Sequence, residues 1–362
     1  MKAVLLTVGL MWCAASAHGG PTEAAAVTKP VGAYASMLTG RAVENDLMQG
    51  GLVRVLWAEL EPSRGEFDFA PIETQLRRLP QGKKWSLALY GGWASIEADD
   101  PGRVKTPPLR GGSAKQRPLK PHMSPPWLVS ELGAETFVIQ FRGTAVNLPK
   151  YWDPVVQKRL AVMMQAVAGK YQEDERLALI YVPQMTSNGL EGHFNGVPKE
   201  TLLAAADLKP TETREFEKLW TGAALSAIRS TAAAFPNKAV AFEVHELLGS
   251  AAIPKQIMSG ILADPALSRQ AGIAMWWISG KTDYQAELLA AIEKFPGDLY
   301  GQVIGRSDQS HRFPGGDYKA VFTQAAKLGM RYIEPWNYEF EHHTHDDLLE
   351  EFNRSCAQRF AP

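Results

Sequence analysis

DPVVQKRLAVMMQAVAGKYQEDERLALIYVP, residues 153–183, reads as a helix followed by a strand. Asp153 is a residue type that caps a helix, and Pro154 suits the first helical position, where no backbone N–H is needed. Val156, Leu160, Met163, Met164, Val167 and Tyr171 then recur at the three- and four-residue spacing that gathers them on one face. From Leu177 to Pro183 the run is unbroken and apolar, as in a strand covered on both sides. A helix feeding such a strand is the repeating unit of a parallel sheet.

The same alternation continues outward in both directions. Runs rich in Val, Ile, Leu and aromatic residues predict strands at 31–36, 52–57, 84–90, 177–183, 239–244, 272–278, 299–304 and 330–333. Further helical patterns cover 213–234 and 284–295. Eight strands with intervening helices predict an α/β fold, a single (β/α)8 TIM barrel over residues 18–362. The longest connection joins the third strand to the fourth and must carry extra structure. In such a barrel the site lies on loops at the carboxyl ends of the strands, so polar and aromatic residues there carry the most weight.

Residues 1–17 have the pattern of a secretory leader. Met1-Lys2 is basic, 3–14 is apolar but too short for a stable membrane anchor, and Ala15-Ser16-Ala17 offers small residues to a signal peptidase. Bulky Met11 and Trp12 before Cys13 argue against lipoprotein processing. Cleavage would leave Cys356 alone, so stability must come from the core and not from a disulfide. A secreted or periplasmic location is expected. A net charge of −1 gives no reason to expect nucleic acid or, after leader cleavage, a membrane as partner. Nothing in the pattern fixes an oligomeric state. No phosphate-cradling loop, nucleophile elbow or cysteine motif stands at a credible position, and no cofactor is expected. The stretch Glu341-His342-His343-Thr344-His345-Asp346-Asp347 fits no metal-ligand spacing. Thr344 with Asp347 reads instead as a capping box that starts the last helix.

The segment Arg54-Val-Leu-Trp57-Ala-Glu59-Leu-Glu61-Pro62-Ser-Arg-Gly65-Glu-Phe67-Asp-Phe69 resembles the strand-2 region of clan A glycoside hydrolases, especially their β-galactosidase-like branches. Pro125-Pro126-Trp127-Leu128, Tyr151-Trp152-Asp153-Pro154 and Trp336 are similar to further pieces of barrel glycosidases. The resemblance implies a carbohydrate substrate, with Arg54 supporting a catalytic carboxylate and Glu61 either at the site or in a plain turn. It also implies an acid/base glutamate just after strand 4. Glu191, in Gln184-Met-Thr-Ser-Asn188-Gly-Leu-Glu191-Gly192-His193, is the candidate general acid, with Asn188 as its support. A glycosidic oxygen leaves poorly until protonated, which calls for a carboxylic acid with a raised pKa in a partly desolvated pocket.

The clan places its second carboxylate at the end of strand 7, where this chain has Tyr300-Gly-Gln302-Val-Ile304. Three substitutes remain: Glu334 at the end of strand 8, Asp308 on the strand-7 loop, and Glu246 after strand 5. Glu334 is favoured because a charge between Ile333 and Pro335 is costly without a partner. Strands 4 and 8 stand opposite each other, which suggests the wide spacing of inverting enzymes, roughly 6.5–9.5 Å. Alternation puts Glu243 and His245 on one face of strand 5 and Glu246 on the other. Trp57, Tyr90, Trp93, Trp127, His193, His245, Trp277, Arg306 and Trp336 are candidate substrate contacts. Of Trp276 and Trp277, alternation can turn only one inward. Six cations between residues 101 and 122, Arg103, Lys105, Arg110, Lys115, Arg117 and Lys120, read either as a solvated loop or as a lid favouring an acidic glycan. The expected activity is hydrolysis of a polysaccharide or oligosaccharide. A polysaccharide lyase and a non-catalytic carbohydrate-binding barrel are the alternatives.

Overall fold

The structure, a computed structural model, describes residues 26–96, 122–141, 144–183, 189–194 and 196–361. The leader-like start, the cationic stretch 101–121 and Asn188 lie outside the described residues. Within them the strands are β1 (Gly32–Ala35), β2 (Gly50–Leu56), β3 (Lys84–Tyr90), β4 (Ser95–Ile96), β5 (Thr136–Phe141), β6 (Thr144–Pro149), β7 (Leu177–Tyr181), β8 (Ala239–Glu243), β9 (Ala271–Ile278), β10 (Leu299–Val303) and β11 (Tyr332–Glu334). Eight of them close a parallel barrel in the order β1-β2-β3-β7-β8-β9-β10-β11, as the sequence predicts. The long third connection carries an antiparallel sheet, β4-β6-β5. The helix Pro154–Tyr171 begins where expected, with the Asp153 carboxylate accepting from Val155 N.

The barrel interior is filled by a few large residues set among small ones. Tyr34, Tyr181, Tyr300 and Tyr332 share it with Ala88, Ala239, Ala241 and Ala274, so each phenol ring fits where a neighbouring strand has only a methyl group. Gly50 goes further. A Cβ there would fall 2.4 Å from the Tyr34 ring and 2.2 Å from the Lys84 carbonyl oxygen, so only glycine fits. The tyrosines bring apolar bulk to the centre and hydroxyls that must find partners, and this sets up the polar floor of the site.

Three local expectations differ from the structure. Trp57 does not end β2 at the mouth. It opens a short helix, Trp57–Leu60, and is fully buried, because Nε1 donates to Glu61 Oε2 at 2.9 Å. Glu61 is buried as well and pairs with Arg159 of the helix Pro154–Tyr171. The expected helix 284–295 is trimmed to Ala286–Ile292, since Gln285 takes a left-handed conformation (φ 50°) and turns its amide toward the barrel. The last helix starts at Asp346, and Thr344 Oγ1 donates to Glu339, so the capping box does not form.

Candidate active site

The floor of the site is the end of β11. Glu334 is completely buried and is the register partner of Gln302 on β10. Its Oε1 accepts from Tyr181 at 3.0 Å and from Tyr332, and its Oε2 accepts from Gln302 Nε2 at 2.5 Å. Ser86 Oγ lies 2.8 Å from the Tyr332 hydroxyl. Burial raises the Glu334 pKa, while the three donors and the charge of Arg54 pull it back. Tyr181 belongs to the fourth barrel strand and Glu334 to the eighth, so this phenol spans the barrel.

The strand-5 wall carries a second buried acid. Glu243 ends β8, and its Oε1 lies 2.6 Å from His245 Nε2 and accepts from Trp276 N at 3.2 Å. The proton can be assigned from the neighbours. Gln285 Oε1 accepts from Glu246 N at 2.6 Å, so its amide nitrogen faces His245 Nδ1 at 3.2 Å. Nδ1 therefore accepts, and the ring proton sits on Nε2, toward Glu243. Burial works against charge on both partners: it raises the Glu243 pKa and pushes His245 down to about 3. His193 stacks on His245 with ring centroids 4.1 Å apart.

Glu191 enters from the loop after β7 and is 4% exposed. The backbone around it is tightly held. Leu190 O accepts from Trp220 Nε1 at 3.0 Å, and Gly192 adopts φ 69°, with Leu247 occupying the space a Cβ would need. Across the mouth, Arg54 of β2 lies 5.5 Å from the centroid of the Trp276 ring. Its Nε and Nη2 are buried without a hydrogen-bond partner, and so is the Tyr90 hydroxyl. Burial pushes Tyr90 up to about 12, and that hydroxyl feels the charges of Arg54, Glu334, Glu191 and Glu243 together. The charges of four ionisable groups, from strands 2, 5 and 8 and the strand-4 loop, are thus felt at one phenol.

Of the residues singled out from sequence, the structure brings together Arg54, Tyr90, Glu191, His193, His245 and Glu334. It does not bring in the other two candidate acids. Glu246 accepts from Leu288 N near the start of the helix Ala286–Ile292. Asp308 is exposed and forms a two-pronged pair with Arg306, which itself lies over Tyr338. Several tryptophans expected at the rim are core. Trp127 Nε1 donates to the Glu61 carbonyl, and Trp93 packs on Phe141. Trp277 turns outward to donate to the Val244 carbonyl, leaving Trp276 as the inward member of its pair. Trp336 is half-buried, bound to Val303 O at 2.8 Å.

The sequence reading missed Tyr181, Tyr332 and Ser86 as polar members of the floor and named Gln302 only as the place where a glutamate was absent. Counting in twos along each strand from a known inward residue would have found all four.

Scanned against family models and curated protein sequences, the chain matches none. Solved structures do match. A β-galactosidase from Rahnella sp. R3 aligns at 12% identity and TM-score 0.50, over 85% of this chain but only 50% of the enzyme. Endo-glycoceramidase II from Rhodococcus sp., in complex with ganglioside GM3, aligns at 10% identity and TM-score 0.50, over 86% of this chain and 76% of that one. The chain shares the barrel fold of glycoside hydrolases. At these identities the likeness extends to the barrel fold and its topology.

Proposed function

We propose that the protein is a glycoside hydrolase, with Glu191 as the general acid and Glu334 as the second carboxylate. The observation that carries this reading is the buried Glu334 carboxyl held by three donors at the carboxyl end of the barrel, with Glu191 buried on the loop after the fourth barrel strand and the charges of both felt at the Tyr90 hydroxyl. Water-poor surroundings suit a carboxyl that must hold its proton until a leaving oxygen needs it. A carboxylate fixed by three donors supplies negative potential for an oxocarbenium-like transition state without reorganising. Strands 4 and 8 face each other across the ring, which favours inversion and the wider carboxylate spacing.

One observation favours a second reading. Gln302 stands at the end of the seventh barrel strand, where the resembled family carries its carboxylate, and a barrel that binds sugar without cleaving it would tolerate this. Incubation with a panel of chromogenic glycosides and polysaccharides separates the readings. A hydrolase releases reducing ends with no new near-ultraviolet absorbance, and Glu334→Gln should lower kcat/KM by about a hundredfold or more. An unsaturated, ultraviolet-absorbing product would identify a lyase. Binding without turnover of any substrate would leave the non-catalytic barrel.

A further inference from the structure

Among the described residues, the Nε and Nη2 edge of Arg54 can be set beside those of Arg176 and Arg306. Arg176 directs that edge at Asp174, with contacts of 3.1 and 2.8 Å. Arg306 does the same with Asp308 at 3.0 and 2.7 Å. Both sit near the surface, where water could have satisfied them. In Arg54 the same two atoms are buried and meet no acceptor. These two N–H groups point the same way and form the side-on fork that matches the two oxygens of a carboxylate. The Tyr90 hydroxyl, also buried and unpartnered, belongs to the same mouth. Glu334 does not fill the fork from below; its oxygens accept instead from Tyr181, Tyr332 and Gln302. Buried donors left in this state cost stability unless something completes them.

We infer that the cup takes a sugar unit bearing a carboxylate, held side-on by Arg54 Nε and Nη2 with the Tyr90 hydroxyl beside them. This names a substrate class for the carbohydrate site proposed above and rests on that reading. A neutral sugar offers hydroxyls that can accept from the fork, but not the charge or the fixed two-oxygen geometry that a guanidinium selects.

Isothermal titration with matched methyl glycosides tests this: glucuronide against glucoside, galacturonide against galactoside, mannuronide against mannoside. At least one uronide should bind about tenfold or more tightly than its neutral partner. Arg54→Lys, which keeps the charge and removes the fork, should abolish most of that preference. Tyr90→Phe should narrow the uronide-over-neutral preference about threefold, and it serves alone if Arg54→Lys does not fold. Equal binding within every pair, or a preference that survives both variants, would overturn the inference and leave the glycosidase reading standing. Failure of every glycoside, acidic or neutral, to bind at millimolar concentration would overturn both.

Discussion

On the floor of the cup, Tyr181, Tyr332 and Gln302 aim their donors at the two oxygens of Glu334, and Ser86 partners Tyr332; on the strand-2 and strand-3 wall, the Arg54 and Tyr90 donors are as deeply buried and meet nothing. Both sets of polar atoms are buried. What differs is completeness. A closed polar network rigidifies the place it occupies, whereas an open one raises the energy of the empty protein and lowers it again when a ligand supplies the missing acceptors. On the proposed reading the floor is scaffold and charge, and the wall is the face that takes substrate.

The sharpest way to break this contrast is to remove the acceptor on which the floor depends. Glu334→Ala strands three buried donors, and urea unfolding should show a loss of about 3 kcal/mol or more. A loss below about 1 kcal/mol would mean the floor is no network at all.

The strand-5 wall gives the next largest effect, through pH. His245 is held down to about 3 in the folded protein, against about 6.5 in an unfolded chain. Between these values the unfolded chain takes up a proton that the folded site refuses. The contribution of His245 is thus intact above about 6.5 and is lost as pH falls. Glu243, raised by burial, acts in the opposite sense, losing ground as pH rises above the usual carboxyl range. Relative to His245→Asn, wild-type stability should decline by up to about 1.4 kcal/mol per pH unit below about 6.5. A gap that does not change with pH would contradict the assignment.

The smallest effect is the most direct comparison of floor with wall. Tyr332→Phe deletes a hydroxyl that bonds both Ser86 and Glu334 and should cost about 1–2 kcal/mol. Tyr90→Phe deletes one that bonds nothing and should leave the ligand-free protein unchanged within about 0.5 kcal/mol, or slightly more stable. Similar costs for the two substitutions would erase the distinction.

Much of the fold was legible because its signals are local. The Asp153-Pro154 cap and the run from Leu177 are set by neighbouring residues, and the eight apolar runs needed only counting. What escaped was decided at long range. Trp57 and Trp127 look like rim residues until Glu61 is seen drawing both inward, and Glu61 is itself held by Arg159, 98 positions along the chain. Thr344 would cap a helix if Glu339 did not take its hydroxyl. In the site, Arg54 and Glu191 were marked by the resemblance to clan A glycoside hydrolases, and Glu334 by a charge standing at a strand end. Tyr181 and Tyr332 did not, because a tyrosine inside a strand reads as core, and only the closed ring reveals that their hydroxyls meet.

Proton donation by Glu191 to the departing glycosidic oxygen, as proposed, can be tested through the leaving group itself. Once a substrate is in hand, kcat/KM for Glu191→Gln should be compared on two glycosides, one with an ordinary sugar or alcohol leaving group and one with an activated aryl group that departs unprotonated. If Glu191 is the acid, the loss is about a hundredfold or more on the first and small on the second. Equal losses on both, or none on either, would show that Glu191 is not the acid.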